Sequence, residues 1–424
     1  MKYHSPKGLN DILTDEIEQW HVAETAIRTV MNRYQYREIR TPLLEYTELF
    51  ERGVGQDTEI VGKQMYTFSD KAGRSLTLRP EGTAPIVRAF LEHKLYGRSE
   101  LIKLSYLGSM FRYEEPQKGR SRQFEQFGVE AIGSADPALD AEVIELGWSL
   151  LTEALGLDGL RLKLNSMGCR EDRKRYITEL RSYFTPMIET MCPDCQVRLE
   201  TNPLRILDCN EEICQGPISA VPAMLHYLCD DCEAHFDRLR THLDDLEILY
   251  RLDPTLARGL DYYTRTVFEI ASPDLGARDA IIGGGRYDDL VEMLGGPPTP
   301  AIGFAGGMPG LILTLNAQKG PLHEQTGPDL YIATVDEQGR REGIRLLREL
   351  RRGDITAEID YLGKSVRGQF GYADRIGARY VIVIGPEELD RGALTLRDMR
   401  SGDEARIDLD PEAIAAELSQ RLKR

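Results

Sequence analysis

A mixed α+β fold of two or three domains is predicted for this chain by three observations. Its 424 residues exceed the length of one average domain. Residues 169–249 are helical in pattern, bear most of the cysteines and contain few β-branched runs. After residue 328, short apolar strands alternate with helices, which is typical of a small α/β domain. We therefore interpret the helical segment as an insertion between two halves of one sheet-containing domain.

The first domain is predicted to begin with a helix and a strand. Residues 11–35 have the periodicity of an amphipathic helix, and 36–45 (YREIRTPLLE) have strand composition interrupted by Pro42. Further along, residues 137–156 have a helical pattern and 160–165 that of a strand.

The stretch from 256 to 270, LARGLDYYTRTVFEI, ends in a β-branched run of strand composition. Arg258 precedes that run, and its planar guanidinium is suited to holding a carboxylate or phosphate. The alternative is a surface arginine at the beginning of a strand.

The last domain is predicted to contain mostly parallel strands. Its strands are expected at 330–335, 380–384 and 394–396, and its helices at 339–352 and 365–376. The first of these helices carries six arginines against two glutamates between residues 340 and 352. Such a helix is either a solvated face or a surface for an acidic partner.

Composition excludes some classes of protein. A net charge of −16 argues against nonspecific coating of nucleic acid, although a local basic stretch such as KGRSR at 118–122 can still contact RNA. No apolar run is long enough to span a bilayer, and the N-terminus lacks the apolar core of a secretory signal. A cytoplasmic protein without membrane contact is expected.

Six of the seven cysteines lie between residues 192 and 232. Two C-x-x-C pairs, separated by a long loop, have the spacing of a structural zinc site. The predicted Zn²⁺ ligands are Cys192, Cys195, Cys229 and Cys232. The alternative is a set of free cysteines without a metal, and Cys169 is expected to be a small buried residue.

Five segments carry a resemblance to a known family. Residues 109–132 (SMFRYEEPQKGRSRQFEQFGVEAI) resemble motif 2 of histidyl-tRNA synthetases, which are class II aminoacyl-tRNA synthetases, and 256–270 resemble their histidine-specific motif. LTLRPEGTAPIVRA at 76–89 and GGGRYDDLV at 283–291 are similar to two further blocks, and PTPAIGFAGGM at 298–308 lies where motif 3 belongs.

This resemblance implies a class II catalytic core, built on an antiparallel sheet and formed by residues 1–169 and 251–320. Residues 170–250 would be the helical insertion, and 327–424 an α/β anticodon-binding domain. The helix and strand at 11–45 resemble motif 1, which implies a homodimer. The implied reaction is ATP-dependent activation of L-histidine, with Mg²⁺, followed by transfer to histidine tRNA.

Residue roles follow from the same resemblance. Because an anionic carboxylate must attack an anionic phosphate, fixed cations are needed, and Arg112 and Arg258 are the implied catalytic residues. These two arginines and Phe124 would bind ATP. The implied histidine-binding residues are Glu81, Gly82, Thr83, Gln126, Glu130, Tyr262 and Tyr263. The implied tRNA contacts are Gln117, Lys118 and Arg120. For each aromatic residue the alternative is plain core packing.

The chain departs from the family pattern around the expected ATP site. Glu115 and Gly310 replace arginines of motifs 2 and 3, Ser121 replaces an aromatic residue, and Glu125 replaces a histidine. Glu115 is expected to bring negative charge near the polyphosphate, and Pro309 to disturb the helix of motif 3.

These departures keep other functions open. One alternative is a histidine-binding paralogue such as the regulatory subunit of ATP phosphoribosyltransferase, and another is a tRNA-binding protein with weak or no adenylation. The intact RGLDYYTRTVFE segment and the C-terminal α/β segment favour the enzyme.

Overall fold

The computed structural model describes residues 3–14, 16–55, 58–116, 119–257, 259–276, 279–320 and 327–422. The chain divides into two units, Met1–Leu322 and His323–Arg424, and each is described by itself. None of the helices formed by these residues is long and apolar enough to cross a membrane.

Strands and helices alternate irregularly in the first unit. Its strands are β1 (Arg37–Glu38), β2 (Leu44–Tyr46), β3 (Tyr66–Ser69), β4 (Ser75–Leu78), β5 (Ile102–Phe111), β6 (Gln123–Ile132), β7 (Arg161–Ser166), β8 (Tyr250–Leu252), β9 (Thr264–Ala271), β10 (Ala280–Arg286) and β11 (Ala301–Gly307). Its α-helices are α1 (Ile17–Arg33), α2 (Thr47–Gly53), α3 (Thr83–Glu92), α4 (Pro137–Ser149), α5 (Arg170–Phe184), α6 (Pro193–Thr201), α7 (Glu212–Ser219), α8 (Asp230–Asp245), α9 (Leu290–Met293) and α10 (Met308–Lys319).

An eight-stranded sheet organises this unit, in the order β1-β5-β6-β11-β10-β9-β7-β8. Only the outer pairs β1–β5 and β7–β8 are parallel, and the strands between them pair antiparallel. The predicted antiparallel core is therefore confirmed.

The two faces of the sheet differ because side chains alternate along each strand. On β6, Phe127 and Val129 join the apolar core that α1, α4 and α10 complete on one face. Phe124, Gln126 and Glu130 have the other parity and line a cleft on the opposite face. One short strand therefore contributes both to the core and to the candidate site.

The segment 36–45 is not one strand, which corrects the sequence-based expectation. β1 joins the large sheet, whereas β2 joins a separate three-stranded sheet in the order β2-β4-β3. Pro42 lies between them and has no N–H to donate to a ladder, so the break falls where pairing is weakest.

The helices α5 to α8 follow β7, and β8 returns the chain to the sheet edge. Tyr176, Leu180 and Phe184 of α5 pack with residues of α6 and α7 in an apolar cluster separate from the sheet core. The helical structure of this segment agrees with its lack of β-branched runs, which are typical of strands.

The second unit contains β12 (Leu330–Thr334), α11 (Glu337–Arg352), β13 (Ala357–Ile359), α12 (Val366–Arg375), β14 (Tyr380–Ile384), α13 (Pro386–Arg391), β15 (Ala393–Asp398), β16 (Glu404–Asp408) and α14 (Pro411–Leu422). Its sheet has the order β13-β12-β14-β15-β16. β12 pairs parallel with β13 and β14, but β14–β15 and β15–β16 are antiparallel. The prediction of mostly parallel strands is wrong for the part of this sheet formed by β14, β15 and β16, because β15 and β16 form a hairpin instead of another crossover.

Candidate active site

The cleft has a volume of about 870 Å³, and its floor is the open face of the large sheet. Gly303 lies opposite Glu130, Ala305 opposite Gly128, and Gly283 opposite Ala305. These small residues leave strand backbone uncovered, so a ligand can lie directly on it. A Cβ on Gly303 would come 2.0 Å from Glu130 Oε2, which shows that the floor admits no side chain there.

Glu130 is the most deeply buried acidic group on this floor, with 1% of its surface exposed. The hydroxyl of Thr83 donates to Oε1 at 2.7 Å, and that of Tyr287 donates to Oε2 at 2.5 Å. Within the described part of the chain, no basic side chain forms an ion pair with it. Burial raises the pKa of Glu130 to about 8, against the two hydroxyl hydrogen bonds, which lower it.

This pKa makes Glu130 a source of pH-dependent instability in the free protein. Between the ordinary glutamate value near 4.5 and about 8, the folded chain holds a proton at Glu130 that the unfolded chain has lost. Stability from this group is therefore present at low pH and lost as the pH rises through that window. Glu130→Gln should melt higher than the parent protein at pH 8, with a gain that shrinks toward pH 5. Calorimetry without ligands checks this, and a pH-independent difference would contradict it.

Glu81, Gly82 and Thr83 precede or open α3 above the floor. The Glu81 carboxylate accepts from the backbone N–H of Thr83 at 2.7 Å and of Ala84 at 2.9 Å, and burial raises its pKa. A Cβ on Gly82 would lie 2.5 Å from the ring of Tyr106, so only glycine fits. Two carboxylates, Glu81 and Glu130, thus line one end of the cleft.

Tyrosines enclose the same end of the cleft. The Tyr262 ring lies 4.9 Å from that of Tyr263 and 5.7 Å from that of Tyr287. Tyr106 donates to Oε1 of Gln126 at 3.1 Å, which orients that amide. The structure brings the predicted histidine-binding residues together, and the aromatic ones contribute both to packing and to the cleft wall.

Arg112 stands at the end of β5, where the chain leaves the sheet. Its Nε donates to the carbonyl of Pro80 at 2.8 Å, and its guanidinium lies 5.3 Å from the centre of the Phe124 ring. Burial lowers the pKa of Arg112, while Glu114 and Glu81 act in the opposite direction. Glu114 also pairs with Arg120 at 2.6 Å. Two arginines therefore share one carboxylate on the cleft wall.

Two of the three departures in motif 2 lie away from this wall. Glu115 pairs with Lys7 at 2.6 Å and is 78% exposed, so the expectation that it faces the polyphosphate is wrong. Its charge is neutralised outside the cleft. Glu125 has the other parity on β6 and accepts a hydrogen bond from Ser109, which places it off the cleft face. Of the substituted positions in motif 2, Ser121 is the one that lines the cleft.

Pro309 does not disturb the helix of motif 3, which corrects another expectation. It occupies the first turn of α10, where the missing N–H would have no helical acceptor. Gly310 follows, and a Cβ there would meet Leu275 at 3.6 Å, an ordinary contact. The position has room for a larger side chain.

Three predicted residues lie outside the described residues: Arg258, Gln117 and Lys118. The cysteines, by contrast, are all described, and they correct the predicted zinc site. The pair Cys192–Cys195 groups with Cys209 and Cys214, whereas Cys229–Cys232 groups with Cys169 and Asp172. The two C-x-x-C pairs open different helices, so they do not converge on one point. Cys169, expected only as a buried residue, belongs to the second group.

Sequence reasoning missed Tyr106, Glu114 and Tyr287 as parts of this site. Tyr287 is in the GGGRYDD block, so its motif was a usable signal. Tyr106 is an ordinary strand residue in sequence, and only its register opposite Gly128 places its hydroxyl where it can donate to Gln126.

An antiparallel sheet that presents a partly buried arginine and a glycine-lined floor on its open face is the architecture of class II aminoacyl-tRNA synthetases. The family model described as histidyl-tRNA synthetase matches residues 8–171 and 217–311, and that of an anticodon binding domain matches 329–420. The chain belongs to the histidyl-tRNA synthetase family.

Individual relatives agree with this membership. A histidine–tRNA ligase of Halothermothrix orenii is 52% identical over 96% of this chain and 97% of its own length. The structure of apo histidyl-tRNA synthetase from S. aureus has a TM-score of 0.82 at 39% identity, covering 98% of this chain and 99% of that one. A protein of Bacillus halodurans C, described as an ATP phosphoribosyltransferase regulatory subunit/histidyl-tRNA synthetase, shares the fold at a TM-score of 0.66 and 24% identity, over 91% of this chain and 99% of its own.

Proposed function

We propose that the chain is a histidine–tRNA ligase, which activates histidine with ATP and transfers it to histidine tRNA. The observation that carries this proposal is Glu130, a buried carboxylate held by two hydroxyls on a glycine-lined floor that Arg112 also overlooks. A cationic ligand is what such a carboxylate needs, because an unpaired buried charge is costly. Sequence similarity to histidine–tRNA ligases along nearly the full length of the chain supports the same assignment.

Histidine recognition is assigned to the closed end of the cleft. Glu81 and Thr83 would receive the α-ammonium group, and Glu130, Gln126, Tyr262 and Tyr263 the rest of the ligand. An imidazole that donates to Glu130 would favour its ionised form and so offset the burial penalty. An analogue that lacks this donor would supply neither a cation nor a hydrogen-bond donor to the buried Glu130. The cleft should therefore select strongly for histidine over such analogues.

Activation requires positive charge where the carboxylate meets the α-phosphate. Arg112 is held by Pro80 and by the Phe124 ring, so its guanidinium is fixed before substrates bind. Phe124 would support the adenine ring, and Arg258 would stabilise the charge of the transition state. When bound with ATP, Mg²⁺ would supply positive charge for the leaving pyrophosphate. Glu269 lines the cleft and offers the carboxylate oxygens that this ion prefers.

Because Gly310 replaces the motif 3 arginine, another cation has to bind the polyphosphate of ATP. Among the described residues, Arg120 lines the cleft, whereas Arg122 stacks on Tyr113 with its guanidinium 3.8 Å from the ring centre. Of these two arginines we assign Arg120 to the polyphosphate end, where a phosphate would have to displace its partner Glu114. Arg120 is also a tRNA contact in the second step, together with Gln117 and Lys118.

Gly310→Arg should lower the KM for ATP, because it returns a guanidinium to the helix start at a position where a Cβ makes only an ordinary contact. One charge-assisted hydrogen bond predicts a gain of about tenfold to a hundredfold in kcat/KM for ATP. Glu115→Arg is the matched control: it breaks an exposed pair with Lys7 and should change ATP use little. Steady-state kinetics at varied ATP checks both. An unchanged KM in Gly310→Arg would show that the existing grip leaves no place for that charge.

Binding of the anticodon is assigned to the second unit. The arginines of α11 are less available than their number suggests, because Arg345 pairs with Glu342, Arg352 with Glu349 and Arg351 with Glu358. Recognition by this helix would have to exchange those partners for phosphates. Footprinting of histidine tRNA on the parent protein and on Arg345→Ala tests the assignment, and identical anticodon protection in both would oppose a role for Arg345.

A homodimer is supported by an exposed apolar face on the small sheet. Leu44 and Tyr46 of β2 and Phe68 of β3 share one face, because Tyr46 and Phe68 both lie opposite Leu76. All three are exposed in the single chain. Tyr46→Glu should therefore shift the protein to a monomer in sedimentation velocity, and a dimer unaffected by that charge would exclude this face.

A cytoplasmic location is proposed with the same function, and fractionation of cells tests it.

The regulatory-subunit alternative is less well supported. The similarity to the Bacillus halodurans protein, at 24% identity, extends to the fold alone, whereas a histidine–tRNA ligase is 52% identical over 96% of this chain. Charging of histidine tRNA by the purified chain tests the choice. Formation of histidyl-tRNA supports the ligase, and histidine binding without any charging would support the alternative.

A further inference from the structure

Four cysteine side chains of the inserted helices point at a common centre. Cys192 immediately precedes α6, Cys195 is in its first turn, Cys209 precedes α7, and Cys214 is in the first turn of α7. Their sulfur atoms all lie within 4.8 Å of one another. We call this group the four-cysteine cluster.

The spacing of these sulfurs fits a tetrahedral metal ion. A Zn–S distance of about 2.3 Å places the sulfurs of a tetrahedral site about 3.8 Å apart. The Cys192 and Cys209 sulfurs are 3.7 Å apart, and all four cysteines are free of disulfides. Cys195, Cys209 and Cys214 are buried, so solvent access to the centre is limited.

Backbone groups around the cluster contact or orient its members. The N–H of Cys192 donates to the sulfur of Cys214 at 3.3 Å, and Gln215 fixes the carbonyl of Cys209 at 2.6 Å. Cys195 lies at the N-terminal end of α6, where the helix dipole favours negative charge. Zinc binds the deprotonated form of cysteine, so these features support ligation.

We propose that Cys192, Cys195, Cys209 and Cys214 bind one structural Zn²⁺. This ligand set keeps only one of the two C-x-x-C pairs that spacing alone suggests. It includes Cys209 and Cys214, which follow a 13-residue gap after Cys195 in the sequence. Each ligand gives up a thiol proton when the ion binds, and no electron transfer is involved.

The group of Cys169, Asp172, Cys229 and Cys232 differs from the four-cysteine cluster because its carboxylate is already engaged by other partners. The carboxylate of Asp172 accepts from the backbone N–H of Cys169 at 3.2 Å and of Cys229 at 3.1 Å, and it pairs with Arg175 at 2.5 Å. Its oxygens therefore already cap α5 and hold the start of α8. Without that carboxylate the group offers three sulfurs, from Cys169, Cys229 and Cys232.

The zinc site would act as a positioning element for the cleft. Helix α6, which Cys192 and Cys195 anchor, pairs with the catalytic core through Arg198 and Glu59 at 2.9 Å. Asn202, directly after α6, donates to the side chain of Asp261 at 3.0 Å. Asp261 immediately precedes Tyr262 and Tyr263, so the metal is linked to the histidine pocket through two contacts of one short helix.

Metal analysis of the full chain tests the ligand set directly. We expect one Zn²⁺ per chain in the protein purified under reducing conditions, and its loss in the Cys209→Ser/Cys214→Ser variant. Cys229→Ser/Cys232→Ser is the matched control and should keep that ion. Zinc that persists in the first variant, or that disappears only in the second, would overturn the proposal. A parent protein that contains no zinc and takes up none would also overturn it.

Because the double variant can fail to fold, the parent protein supplies a second measurement. After removal of metal under reducing conditions, titration with Co²⁺ should give the visible absorption of a tetrahedral tetrathiolate site with an endpoint at one ion per chain. Absence of that spectrum would overturn the four-sulfur assignment. Both measurements read the metal itself, so they remain decisive even if the chain charges no tRNA.

The positioning role, which rests on the proposed function, has its own readout. Metal-free protein should show a several-fold higher KM for histidine with little change in KM for ATP, and zinc should restore it. Equal changes in both constants would contradict a link through Asn202 and Asp261.

Discussion

Arg112→Ala is expected to lower kcat/KM for histidine-dependent ATP–pyrophosphate exchange by about a hundredfold to ten-thousandfold. The guanidinium is assigned two charge-assisted contacts, one to the α-phosphate and one to the substrate carboxylate, and each is worth about 1.5–3 kcal/mol. The loss should appear mainly in kcat, because the contacts strengthen as charge moves in the transition state.

The matched control for this change is Arg122→Ala. Arg122 belongs to the same hairpin but stacks on Tyr113 and donates to the carbonyl of Glu114 at 3.1 Å, outside the cleft wall. Its removal should alter exchange far less than that of Arg112. Comparable losses in the two variants would mean that the hairpin as a whole, and not the Arg112 charge, supports the reaction.

Glu130→Gln is expected to raise the KM for histidine by about tenfold to a hundredfold and to leave the KM for ATP nearly unchanged. The amide keeps the shape of the side chain but loses the charge that a histidine ligand would neutralise. In the amide, one of the two hydroxyls of Thr83 and Tyr287 can still donate to the remaining oxygen, and the other can accept from the new NH2 group, so the fold should persist. Histidine analogues that lack the ring N–H should bind to the variant and to the parent protein with similar affinity.

Glu125→Gln is the control for Glu130→Gln, because the same change is made on the same strand. Glu125 lies on the other face of β6 and accepts from Ser109, so its replacement should spare histidine use. Equal effects of the two substitutions on the KM for histidine would contradict the assignment of Glu130.

Glu130 also shows how stability and function oppose each other at this site. Its raised pKa means that the free protein gains stability when the carboxylate is removed, whereas histidine use declines. A residue that destabilises the fold and improves binding is what a ligand pocket requires, since the ligand supplies the missing partner.

Patterns in the sequence predicted most of the fold because the relevant signals are local. The alternation of β6 and the periodicity of α1 and α11 appear directly in the residues, and the motif blocks indicated the antiparallel core. The break between β1 and β2 was missed because Pro42 shows where pairing stops but not that the chain changes sheets. The strand in β15 was predicted, but its antiparallel direction and the strand β16 were missed, because strand direction depends on connections, which composition does not encode.

The site was predicted less completely, for physical reasons. Glu81, Thr83, Gln126 and Glu130 do converge, but the direction of Glu115 depends on Lys7, more than a hundred residues away in sequence. The cysteine pairs were expected to meet because their spacing matched, yet each pair is fixed by its own helix. Contacts between distant segments decided both cases, and a single sequence holds no record of them.

The central claim is that this glycine-floored cleft activates histidine although Gly310 replaces the motif 3 arginine. Histidine-dependent ATP–pyrophosphate exchange tests it most directly, with Arg112→Ala measured beside the parent chain. We expect exchange that requires histidine and that falls at least about a hundredfold in the variant. Histidine binding without exchange in the parent protein would contradict it.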